Sequence, residues 1–92
     1  MHIEEYADAL NLELIILRYP NQANRYCAQF EDCEVKDDAG SAILESAYGD
    51  GSTPQAAIAA YLNEIRGKVL VVCAGDPERR RQYVVPRSLS CD

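Results

Sequence analysis

Thr53-Pro54-Gln55-Ala56-Ala57-Ile58-Ala59-Ala60-Tyr61-Leu62-Asn63-Glu64-Ile65-Arg66-Gly67 is the stretch on which the fold turns. Thr53 is a suitable N-cap, because its hydroxyl accepts from a backbone N–H in the first turn. Pro54 takes the first helical position, where a missing N–H costs nothing. Ile58, Tyr61, Leu62 and Ile65 recur at helical spacing and make one apolar stripe. Ala56, Ala57, Ala59 and Ala60 raise helix propensity and permit close approach to a sheet. Arg66 suits the negative end of the helix dipole, and Gly67 is the expected left-handed stop. These signals predict a helix over residues 54–66, docked onto a sheet side that includes Ala28 and Phe30.

Upstream, residues 25–35 alternate as one strand, with Tyr26, Ala28 and Phe30 on one face and Arg25, Cys27, Gln29 and Glu31 on the other. Residues 12–19 are β-rich and almost continuously apolar, which reads as a strand buried on much of both faces. Pro20 to Asn24 supply a turn between these two strands. Asp37-Asp38-Ala39-Gly40 is the next turn, and residues 42–48 are read as a third strand carrying Ile43, Leu44 and Tyr48. Residues 3–10 have helical spacing, so the first ten residues are either a short helix or a mobile N-terminus.

Downstream, Lys68 to Ala74 is a strand apolar on both faces, ended by Gly75-Asp76-Pro77. Arg79-Arg80-Arg81 is an exposed turn before a short Tyr83-Val84-Val85 strand, and residues 87–92 are a frayed tail. The expected fold class is α+β in a single domain, 1–92. A three-stranded antiparallel meander is followed by one helix and a further strand, βββαβ, with the helix on one sheet face. Strands 12–19 and 69–73 need cover on their second face, either from the N-terminal segment or from another subunit. A homodimer is the favoured arrangement.

The chain has 92 residues and a net charge of −6, with 48% apolar residues, which places it among globular rather than disordered chains. The charge is uneven. Residues 1–50 carry three basic and eleven acidic side chains, and residues 51–92 carry six and four. An acidic body disfavours general nucleic-acid binding, which depends on cations replacing counterions around phosphate. No run approaches the ~20 apolar residues of a membrane span. His2-Ile3-Glu4-Glu5 lacks the basic and apolar regions of a signal peptide, so a cytoplasmic protein is expected. Cys27, Cys33, Cys73 and Cys91 show no zinc spacing and are read as free thiols in a reducing compartment. Cys27 and Cys33, on one extended segment, would lie roughly 20 Å apart and out of bridging range.

The stretch Tyr26-Cys27-Ala28-Gln29-Phe30-Glu31-Asp32, followed by Gly51-Ser52-Thr53 and the helix from Ala56-Ala57-Ile58 to Tyr61-Leu62, resembles the HicB-like antitoxin domain. The resemblance covers roughly residues 12–66. It implies a βββα core in a partial ribonuclease-H-like or double-stranded-RNA-binding-like arrangement. Tyr48-Gly49, Gly51, Thr53-Pro54, Gly67-Lys68 and Tyr83-Val84-Val85-Pro86 also look like small uncharacterised phage or prophage proteins.

Each candidate site has a plainer reading. Gly49-Asp50-Gly51 before a helix lacks the full glycine fingerprint and lysine of a phosphate loop, and reads as a turn plus cap. Glu31, Asp32, Glu34, Asp37 and Asp38 have no calcium-loop spacing, and a ribonuclease-H-like site finds only Glu13 on the first strand. Cys27 as nucleophile finds only His2 as base. Arg79, Arg80 and Arg81 with Tyr83 form the one basic patch suited to nucleic acid, although three adjacent arginines cannot all face one partner. No cofactor, metal or catalytic residue is expected. The chain is expected to be a non-enzymatic interaction module, of phage or prophage type, binding a protein or itself. Its expected interface comprises Arg25, Cys27 and Gln29 with Val69 and Val71. The alternative is a HicB-like antitoxin or nucleic-acid-associated regulator without a separate DNA-binding domain.

Overall fold

At Asp32 the backbone swings into the left-handed region, φ 56°, and the strand expected over 25–35 divides there. In the computed structural model, which describes residues 1–91, the two halves enter different sheets. The element order is α1 (Ile3–Leu10), β1 (Leu14–Arg18), β2 (Tyr26–Phe30), β3 (Cys33–Lys36), β4 (Gly49–Gly51), α2 (Pro54–Ile65), β5 (Val69–Val72) and β6 (Arg81–Val84). One antiparallel sheet has the order β1-β2-β4, and the other has the order β3-β5-β6. The α+β class stands, but two three-stranded sheets and two helices replace the single βββαβ sheet.

Helix α2 forms as its sequence dictates. The Thr53 hydroxyl accepts from Ala56 N–H at 3.1 Å, Pro54 opens the first turn, and Gly67 has φ 75° just beyond the end. Ala57, Tyr61, Leu62 and Ile65 are buried, with Ile58 half-buried beside them. The helix lies against β2 and β4. Its backbone comes so close to β4 that a Cβ on Gly49 would overlap Ala57 O, and one on Gly51 would overlap Ala57 N. Residues 49–51 are therefore a short strand under a helix, not the turn and cap expected. Glycine is required there by the neighbouring backbone rather than by φ.

Tyr61 closes the end of that strand. Register pairs Ala28 with Gly49, and β4 is gone where Phe30 would need its next partner. The Tyr61 hydroxyl takes the vacant place, accepting from Phe30 N–H at 3.1 Å in the buried core. The two rings meet edge to face at 5.5 Å. Burial holds the Tyr61 hydroxyl protonated well above its usual range, so it remains neutral.

Three further expectations are corrected, and one alternative is decided. Strand β1 is an edge strand, with Ile16 39% and Leu17 58% exposed, rather than one buried on both faces. Residues 42–48 do not form a third strand; only Glu45 bridges, exchanging backbone hydrogen bonds with Val35, while Ile43 and Tyr48 are exposed. Of the two readings of the N-terminus, the short helix over residues 3–10 is the one found: His2 caps α1, its Nδ1 accepting from Glu4 N–H at 3.1 Å. The tail is docked rather than frayed as far as residue 91, with Asp92 outside the described residues. Ser90 pairs with His2, Leu89 is buried, and Arg66 Nε donates to Leu89 O at 2.8 Å. Two segments distant in sequence thus complete the core together. Strand β5 is buried along its whole length by the chain's own residues, and no second subunit is needed to cover it. Among the described residues, no helix is long and apolar enough to cross a membrane.

Three consequences are measurable by urea unfolding. Gly49→Ala, forced against helix backbone, destabilises by about 3 kcal/mol, whereas Gly75→Ala, with open space around it, stays within about 0.5 kcal/mol. Tyr61→Phe orphans the buried Phe30 N–H and costs about 1–3 kcal/mol. Tyr6→Phe removes a hydroxyl that is buried without a partner among the described residues, and is neutral to stabilising.

Candidate protein interface

The alternation of hydrogen bonds along β1 determines which of its groups are free. Glu31 N–H donates to Glu13 O at 2.9 Å and Tyr19 N–H to Arg25 O at 3.0 Å, so the odd-numbered residues of β1 face β2. The N–H and C=O groups of Leu14, Ile16 and Arg18 point the other way. Among the described residues they have no backbone partner, because β1 is the sheet edge. The strand between them is Leu-Ile-Ile-Leu-Arg, without the proline or run of charges that usually blunts an edge.

The pleat assigns the side chains to faces. Leu14, Ile16 and Arg18 pair with Phe30, Ala28 and Tyr26 on the helix-bearing face. Ile15 and Leu17 pair with Gln29 and Cys27 on the outer face, where Asp50 pairs with Cys27 from β4. The sequence-predicted residues Arg25, Cys27 and Gln29 are therefore brought together with Leu17, a residue that alternation alone did not add to them. The Tyr19 hydroxyl donates to Asp50 Oδ1 at 2.7 Å, which pushes its pKa up to about 12. Arg25 approaches the other Asp50 oxygen at 4.0 Å. Burial raises the Cys27 thiol, an effect that the neighbouring Tyr19 hydroxyl partly offsets. A raised thiol is the opposite of an activated nucleophile, and His2 is already engaged as a helix cap.

Val69 and Val71 are corrected out of the interface. They are 4% and 0% exposed, flanked on their face by Glu34, Lys36, Gln82 and Val84. The thiols of Cys33 and Cys73 line one shallow depression, and burial pushes Cys33 up to about 12.

The basic patch is less uniform than its sequence. Arg79 and Arg80 are exposed, but Arg79 and Arg81 line a depression with Glu13, Glu31 and Asp32. The Arg81 guanidinium lies 5.9 Å from the Tyr83 ring centroid, over a ring half-buried against the core. Tyr83 thus has one face occupied and little left for a base. Among the described residues, no group of three or more His, Cys, Asp or Glu is arranged to hold a metal ion.

Glu13 and Glu31 face one another across the β1–β2 register. A hydrogen bond from Glu31 to Glu13 and their mutual repulsion raise the Glu31 carboxyl above its ordinary value. The native state then holds protons that the unfolded chain has released, so this pair's contribution is present at acid pH and is lost as pH rises through the raised value. Glu13→Gln should raise the thermal midpoint at neutral pH and leave it unchanged well below the carboxylate range, as read by circular dichroism melts. No protein-family model, curated protein or solved structure matches the chain.

Proposed function

We propose that this chain is a non-enzymatic protein-interaction module that works through its β1-β2-β4 sheet, in a cytoplasmic, phage- or prophage-type setting. The observation that carries the reading is Leu17, 58% exposed, on a strand whose outward backbone groups are unpaired. Apolar side chains beside unpaired strand groups supply the two elements of strand-addition recognition: main-chain hydrogen bonds for affinity and side chains for specificity. Arg25, Cys27 and Gln29 extend the same outer face. The resemblance to HicB-like antitoxins agrees with a protein partner.

The nucleic-acid-associated alternative draws on one observation, the exposure of Arg79 and Arg80. The carboxylates of Glu13, Glu31 and Asp32 beside Arg79 and Arg81 weaken any phosphate attraction there. A low-salt mobility shift abolished by Arg79→Ala/Arg80→Ala would favour it over the module reading.

The module reading is tested by light scattering on the eluting chain, together with affinity capture by the tagged chain. The expected result is a mass above 10.2 kDa or a captured protein, either one lost in Leu17→Asp with the fold intact. A chain that elutes at 10.2 kDa and captures nothing overturns it.

A further inference from the structure

Resting on the module reading, we propose that the occupant of the β1 edge is a second copy of this chain, its β1 paired antiparallel about a twofold axis at Ile16. In this register Ile16 faces the partner's Ile16, and Leu14 faces the partner's Arg18. The three residues with outward N–H and C=O groups are Leu14, Ile16 and Arg18. They are the three that a ladder centred on Ile16 requires, and each pair exchanges two hydrogen bonds. A shift of register by two residues leaves part of each edge unpaired.

Both ends of the ladder are bounded by the chain itself. The next pair outward would be Leu12 with the partner's Pro20. Leu12 N–H is already donated to Ala7 O at 2.8 Å, and proline has no N–H to give. The free edge is therefore symmetric about Ile16, which is the condition for an isologous contact.

Charge makes the pairing directional. Arg18 is exposed and takes part in no ion pair within the chain among the described residues, where the pairs are Arg25–Asp50 and Lys68–Asp37. The opposite end of β1 borders a groove lined by Glu4, Asp8 and Glu13 with Leu12, Ile16 and Ile58. Leu14 opens onto this groove from the helix-bearing face. A strand neighbour directly opposite lies about 5 Å away, Cβ to Cβ. The partner's Arg18 opposite Leu14 therefore enters a groove carrying the Glu4 and Asp8 carboxylates of α1, and the twofold repeats the contact. Ile16, 39% exposed beside Ile58, covers its own copy at the axis. The two sheets become one six-stranded sheet in the order β4-β2-β1-β1-β2-β4. Because the contact is isologous it closes at two copies, and the exposed apolar edge is removed without growth into fibres.

The test is sedimentation of the full chain over a dilution series, with amide hydrogen exchange at the two concentration extremes. The expected mass rises from 10.2 kDa toward twice that value with concentration, and falls again as salt screens Arg18. Amides of Leu14, Ile16 and Arg18 become protected only in the concentrated sample. Ile16→Pro keeps the chain folded, since the N–H it removes points away from β2, and holds the mass at 10.2 kDa. A charge exchange serves as the second variant. Arg18→Glu and Glu4→Lys/Asp8→Lys each self-associate at least tenfold more weakly than the wild type, and associate with one another when mixed.

A wild-type chain at 10.2 kDa throughout overturns the dimer; if it still captures a partner through Leu17, the module reading survives. A dimer that persists in Ile16→Pro, or edge amides that exchange equally at both concentrations, places the contact elsewhere and overturns the proposal.

Discussion

One hydrogen bond, from the Phe30 N–H to the Tyr61 hydroxyl, joins the parts of this fold. Strand β4 is three residues long and cannot serve all of β2. Without the hydroxyl, a strand amide at the centre of the core would have no acceptor, and a buried orphan donor costs more than an ordinary hydrogen bond gains. The same side chain carries the ring that meets Phe30 edge to face, and it sits on the helix face that glycines 49 and 51 let down onto the sheet. Helix position, strand length and ring packing are therefore one arrangement, and none of the three can change alone.

The second constraint is the turn of the chain at Asp32. It allows a single extended segment to finish one sheet and begin another, and Cys73, also left-handed at φ 53°, donates its N–H to Asp32 O at 2.9 Å. Because of that bend, β5 lies inside a sheet of its own between β3 and β6, shielded on both sides. Strand β1 gains no such neighbour and stays at an edge. Two segments of similar apolar sequence thus end in opposite environments, β5 paired on both sides and β1 paired on one.

Much of the first constraint could be read in the sequence. Thr53, Pro54, the stripe from Ile58 to Ile65 and Gly67 are local signals, each acting within a turn of helix, and they gave the helix and the face it buries. The alternation of Arg25, Cys27 and Gln29 likewise gave the exposed face of β2. What escaped was set by contacts remote in sequence. Asp32 adopts a positive φ with no glycine to announce it. Gly49 and Gly51 look like turn residues until a helix backbone is placed against them. Leu14 to Leu17 and Val69 to Val72 are equally apolar, so periodicity could not say which was covered, and Val69 and Val71 were assigned to a surface they do not reach. The exposure of Leu17 and Ile16 follows from strand order, which no single segment encodes.

The pairing of His2 with Ser90 has a consequence for the way the chain is made. Ile3, Tyr6 and Ala7 leave the ribosome some eighty residues ahead of Leu89 and Ser90, which pair with and pack beside their helix. Val85 and Leu89 also supply the last pieces of the apolar interior. A contact that spans nearly the whole length of a polypeptide carries a large closure entropy and slows folding. Packing of Tyr6 on Phe30 can form early, but the backbone pairing that ties α1 to Ser90 closes last, so the final docking of α1 is a late folding event.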